Sequence, residues 1–237
     1  MMIRDGKWRL SLGCAAALLL TACTGTAPET TAPSSSTEQS APTEIVASPA
    51  EPGQEAATAE APESDEQLKF KRDDGTEAFA LKIMTDGAKL VDGADQEIAR
   101  LTLDATGKIK IKDASDSVLG YVITQDGYWK VEDAEQTQEL FVLRAQDDGD
   151  YKLETGDDTP IYRIKQRDYG YEVETPEKVS LYKVKLKDDK LSLRDANEVT
   201  VISTKSPLIT AAMACFGFDV LSPEQQAALA YAVHLAG

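Results

Sequence analysis

The stretch Gly107-Lys108-Ile109-Lys110-Ile111-Lys112-Asp113-Ala114-Ser115-Asp116-Ser117-Val118-Leu119-Gly120-Tyr121-Val122-Ile123-Thr124 decides the fold. Ile109 and Ile111 point one way, and Lys108, Lys110 and Lys112 point the other. Such strict alternation marks a half-buried strand. Asp113 to Ser117 supply turn residues, and Val118 to Thr124 return as a second strand, so the segment is one β-hairpin.

Working outward, the same unit recurs. Trp129 and Val131 lead to a return through Leu140-Phe141-Val142-Leu143. Tyr151 and Leu153 lead to Ile161-Tyr162-Arg163-Ile164, and Tyr171 and Val173 to Leu181-Tyr182-Lys183-Val184-Lys185. Leu191 and Leu193 lead to Val199-Thr200-Val201-Ile202. An acidic or hydroxyl residue closes the first strand of each unit, at Asp73, Asp92, Asp113, Asp133, Thr155, Thr175 and Asp195, with gaps of 19, 21, 20, 22, 20 and 20 residues. A period of this length means stacked structural units. The recurring oxygens invite a calcium reading, with Asp113 and Asp116 as the closest pair. No loop carries the alternating ligands and closing Glu of a calcium loop, whereas Asp and Thr commonly bond their own backbone in tight turns. The markers are therefore expected to be turn residues, and no metal site is expected.

Seven hairpins must hide their edges, because exposed edges invite aggregation. A barrel of 12–14 strands is too wide for its own side chains to fill. Residues 206–237 supply an apolar filling. They read as two helical stretches opened by Ser206-Pro207 and Ser222-Pro223, since Ser as N-cap followed by Pro is a helix start signal. Both are apolar nearly all round, as buried helices are, and neither is long enough to span a bilayer. The expected fold is mainly β with C-terminal helices: a hairpin-repeat closed barrel of 12–14 short antiparallel strands around a hydrophobic C-terminal helix. Choline-binding repeats would need paired aromatics in register. A propeller would need four strands per blade and leave half a blade over.

The strand–Asp–strand units from Gly107 to Thr204, with the terminal run Ala227-Ala228-Leu229-Ala230-Tyr231-Ala232-Val233, resemble the tubby-like and LURP-one-related family. The resemblance implies a closed twelve-strand barrel around a hydrophobic C-terminal helix. It also implies lipid-related functions: tubby proteins bind phosphoinositides through basic side chains, and the related scramblases act on membrane lipid.

The N-terminal region reads as a targeting segment. Arg4, Lys7 and Arg9 precede the apolar run Leu10–Leu20, which meets Leu20-Thr21-Ala22-Cys23. That tetrad resembles the bacterial lipobox, which implies a signal peptide over 1–22 and a diacylglycerol on Cys23. Cys14 has no Leu three residues before it. Thr24 in place of Asp favours the outer membrane, facing the periplasm, in a cell with two membranes. Residues 23–66 hold six of the ten prolines and no Lys, Arg or aromatic residue, a composition expected to stay disordered and serve as a tether. The folded part is then 67–205 plus the apolar helices at 206–237.

Residues 67–237 hold 31 acids and 22 bases, and no basic cluster is evident along the chain. Nucleic acid is therefore not an expected partner. The single histidine, His234, sits in the apolar tail, and Cys215 lies in the run Ala211–Phe216, where a buried thiol acts as a small hydrophobe. Neither zinc nor triad chemistry has enough parts, and no phosphate loop or G-x-S-x-G elbow is present. No cofactor is expected. The function expected is a non-catalytic envelope lipoprotein that binds or scaffolds an unidentified envelope protein or lipid. The alternatives are lipid handling of tubby or scramblase type and, last, a hydrolase using a carboxylate pair.

Overall fold

The computed structural model describes residues 63–237. The expected signal peptide, Cys23 and most of the tether lie outside the described residues. Fourteen strands follow in chain order: β1 (Glu63–Lys71), β2 (Glu77–Met84), β3 (Gly87–Asp92), β4 (Glu97–Leu103), β5 (Lys108–Asp113), β6 (Val118–Gln125) and β7 (Tyr128–Glu132), then β8 (Glu139–Ala145), β9 (Tyr151–Thr155), β10 (Pro160–Arg167), β11 (Gly170–Glu174), β12 (Ser180–Lys187), β13 (Lys190–Asp195) and β14 (Thr200–Thr204). Each pairs antiparallel with the next, and β14 returns to β1, closing the barrel. Fourteen is the upper end of the expected range and two more than the tubby resemblance implies. The first strand begins at Glu63, four residues ahead of the expected boundary at 67.

The repeat markers are turn residues, and their oxygens are engaged. The Asp113 carboxylate accepts from the Ser115 and Ser117 N–H groups at 2.9 and 2.8 Å. Asp92 accepts from Ala94 and Gln96 at 2.8 and 2.9 Å, and Asp195 from Asn197 and Val199 at 2.9 Å each. Thr155 and Thr175 do the same with one hydroxyl bond each, to the N–H groups of Thr159 and Val179. Three residues beyond each of these five markers and beyond Asp133, which accepts from Thr137 N–H at 2.8 Å, the chain turns left-handed, at Asp95, Asp116, Gln136, Asp158, Lys178 and Glu198, with φ between 54° and 69°.

The first marker is misplaced in the sequence reading. In the β1–β2 turn, Arg72 N–H donates to the Thr76 carbonyl at 2.9 Å, as Asp92 N–H does to Gln96. Arg72 thus holds the marker position and Asp73 follows it. The capping oxygen comes from Asp74, which accepts from the Thr76 N–H at 2.9 Å and the Thr76 hydroxyl at 2.6 Å. A carboxylate two residues further on reaches the same N–H, so the cap survives while the spacing shifts.

Inward residues of every strand join one core with the C-terminal segment. That segment forms α1 (Thr210–Ala214), a 3-10 turn (Cys215–Gly217) and α2 (Pro223–Ala236). In α2, Ala227 to Val233 are each at most 3% exposed; the helix packs against β4–β7 and α1, and α1 against β11–β13. Its alanines fit a lumen already lined with Leu, Ile and Val. Tyr231 Oη donates to the Gly87 carbonyl at 3.2 Å. Gly87 has φ +143°, and a Cβ there would lie 1.8 Å from the Leu101 carbonyl oxygen, so only glycine fits.

The second expected helix start is present in full. Ser222 caps α2, its hydroxyl accepting from Gln225 N–H while the Gln225 side chain accepts from Ser222 N–H, with Pro223 next. The first is not a helix start. α1 begins at Thr210 with Ile209 as its unassisted cap. Ser206 instead turns outward to β1: its hydroxyl accepts from Lys69 N–H at 3.0 Å and donates to the Gln67 carbonyl at 3.2 Å. A hydroxyl that reaches two free strand groups is better bonded there than at a helix of five residues.

That contact matters because the closure is thin. β12 and β13 share six registered pairs, from Tyr182↔Asp195 to Lys187↔Lys190. Between β1 and β14 the register holds one, Lys71↔Ser203. The early part of β14 has no registered β1 partner, and Val199 and Val201 stand 53% and 42% exposed.

Candidate functional site

Along α2 the lumen is occupied by the helix itself, which forms one core with the inward strand residues. Two of the clefts lie at the edges of the closure. One, of about 700 Å³, is walled by Phe79, Phe216, Val201 and Ile202 and opens beside Pro223. There the rings of Phe70 and Phe79 stack and Phe216 lies tilted against both, with centroids 4.6 to 5.2 Å apart. The other, of about 510 Å³, lies along the seam between β1 and β14.

The seam cleft is lined by Lys69, Lys71 and Arg72 from β1 and its turn, Lys190 from the start of β13 and Lys205 just past β14, with Asp73 as its one acidic group. Five cations converge in a domain where acids predominate. Lys69 lies 3.8 Å from Glu77, and Arg72 Nη1 donates to the Glu77 carbonyl at 2.9 Å. Lys71, Lys190 and Lys205 have no carboxylate within 4.0 Å among the described residues. Beneath them Thr204 Oγ1 accepts from Ser206 N–H at 2.9 Å.

Elsewhere on the outer face many cations are matched, although Lys108 and Lys110 lie over the Tyr121 ring and Lys178 and Lys187 have no carboxylate within 4.0 Å among the described residues. Arg144 bonds Glu154 and Asp158 at 3.0 and 3.1 Å, and Arg167 bonds Glu172 and Glu174 at 3.0 and 2.8 Å. Lys130 pairs with Glu139, and Lys165 with Asp150. Lys183 and Lys185 both hold Glu198, at 2.7 and 2.6 Å, and their hydrogen bonds bring its carboxyl down to about 2.

The residues singled out from the sequence fall apart from one another. Asp113 is bound into its turn, while Asp116 pairs with Lys112 at 2.9 Å, which holds its carboxyl below the usual range. Among the described residues no three His, Cys, Asp or Glu side chains gather so as to hold a metal. Cys215 is fully buried at the end of α1, and burial pushes its thiol up. His234 lies in the last turn of α2, with a buried, unpartnered Nδ1. The basic cluster, which the sequence reading did not find, is assembled from three distant segments. Its one sequence signal is the run Lys69-Phe70-Lys71-Arg72.

These features define the class as a closed antiparallel barrel filled by its own C-terminal helices. No family model matches the chain, and no curated protein matches it. A solved structure of a protein from Arabidopsis thaliana is similar at a TM-score of 0.35 and 12% identity, over 65% of this chain and 88% of that one.

Proposed function

We propose that the chain is a non-catalytic binding module of the cell envelope, held at the membrane by a lipid on Cys23, which recognises an envelope component on the outside of its barrel. The observation that carries this reading is the filled lumen: Ala227 to Val233 occupy the space where a barrel of this width would otherwise hold a ligand.

Photo-crosslinkers at outward positions in intact cells test the reading. Adducts at outward positions such as Tyr128 or Leu186 support it. Adducts confined to inward positions, or none at any position, overturn it. Labelling with a fatty acid, abolished by Cys23→Ala, checks the anchor. Lipid handling of tubby or scramblase type is the second reading, favoured by the cleft beside Phe79, Phe216 and Val201. A chain purified without detergent that yields no extractable lipid would remove it.

A further inference from the structure

The seam is weak twice over. It has one registered strand pair, and it gathers five cations whose mutual repulsion works against closure. Both defects have the same remedy. We propose that the seam cleft binds a multiply charged phosphate-class anion, and that its occupancy latches β1 onto β14. The inference rests on the reading of the barrel as a module that binds on its outer face.

The geometry supplies both sides of the latch. Lys69, Lys71 and Arg72 belong to β1 and its turn, while Lys190 and Lys205 belong to the β13–β14 flank. An anion touching both flanks bridges strands that the backbone ladder joins only at Lys71↔Ser203. Guanidinium and ammonium groups suit phosphate oxygens, the first as a fork and the second as point charges. The cleft is open to solvent, so binding weakens as salt rises. Without an anion, Ser206 alone adds to the single strand pair by bonding Lys69 and Gln67. The anion could be a lipid headgroup or a free phosphate compound, since either offers clustered oxygens.

The test uses the intact mature chain with tripolyphosphate at low ionic strength. In about 100-fold excess over its Kd, tripolyphosphate raises Tm by about 5–10 °C, while sodium chloride of equal ionic strength does not. Exchange of the β1 amides slows with it. Lys71→Glu with Lys205→Glu raises Tm in the absence of anion, by relieving repulsion, and abolishes the response. Lys178→Glu, in the β11–β12 turn, leaves the response intact. If the double reversal does not fold, Lys190→Gln with Lys205→Gln removes charge from the same cleft and also abolishes the response. A response that survives these changes, or no response beyond that to chloride, overturns the latch. Phosphatidylcholine vesicles containing phosphatidylglycerol separate the sources: competition with tripolyphosphate marks a headgroup ligand, and its absence beside a full tripolyphosphate response marks a free phosphate. If the latch fails while outward crosslinks persist, the binding-module reading stands without it.

Discussion

The wall from β2 to β13 and the seam between β1 and β14 are built from the same kind of strand and differ in what joins them. In the wall, neighbours share long registers, and many outward cations, Arg144, Arg167 and Lys183 among them, are matched by nearby acids. At the seam one strand pair and one serine do the joining, and three of the five cations, Lys71, Lys190 and Lys205, have no carboxylate within 4.0 Å among the described residues. A repeat solves its pairing problem locally, hairpin by hairpin, but closure is a single non-local contact between residues about 135 positions apart. Nothing in the repeat itself supplies that contact. The contrast places the weak point of the barrel, and its unspent charge, in the same place.

The largest effect that separates the two regions comes from the wall. Leu153, fully buried in β9, costs about 2–5 kcal/mol when cut to alanine, and chemical denaturation shows it as a loss for the whole barrel. Ser206→Ala comes next. It leaves Lys69 N–H and the Gln67 carbonyl without their partner, at about 1–3 kcal/mol. Hydrogen exchange then quickens in β1 but not in β5 to β12, as local opening requires; a uniform rise would equate seam and wall. A single turn in the wall is worth less: Asp113→Ala loses two backbone bonds and costs about 1–2 kcal/mol. Thermal melts check that order.

The smallest effect is read by pH. The ammonium groups of Lys183 and Lys185 lower Glu198 from an ordinary 4.5 to about 2. A carboxyl depressed in the folded state stabilises it fully above the unfolded value, and that contribution is lost as pH falls from about 4.5 toward 2. Glu198→Gln therefore makes stability less dependent on pH in that window and changes nothing at pH 7 beyond the lost pair. Equilibrium unfolding across the window measures it.

The repeat, the strands and the filled lumen were legible because they rest on local rules: alternation, turn oxygens and an apolar tail. Where two groups compete for one side chain, those rules lose force. Ser206 followed by proline carries a helix start signal, yet its hydroxyl serves β1, a partner 137 and 139 residues away. Asp73 and Asp74 are equally plausible turn acids, and only the backbone ladder separates them. The seam cluster was illegible for a further reason. Lys71, Lys190 and Lys205 are ordinary surface lysines along the chain and become a group only after closure. Net acidity hid them, since a sum of charges carries no position.

The left-handed turns hold a reserve that the protein has not drawn on. Six successive hairpins bend through a residue with a side chain at a φ that favours glycine, while the β1–β2 turn has Gly75 at the corresponding place, with φ +84° and open space where a Cβ would stand. Lys178→Gly and Gln136→Gly should each add on the order of 0.5–1 kcal/mol, and the two, in turns far apart, should add independently. A module that keeps charged and polar side chains there trades durability for a varied rim. Those turn tips can change in sequence, or be relaxed one at a time, without disturbing the strands that carry them.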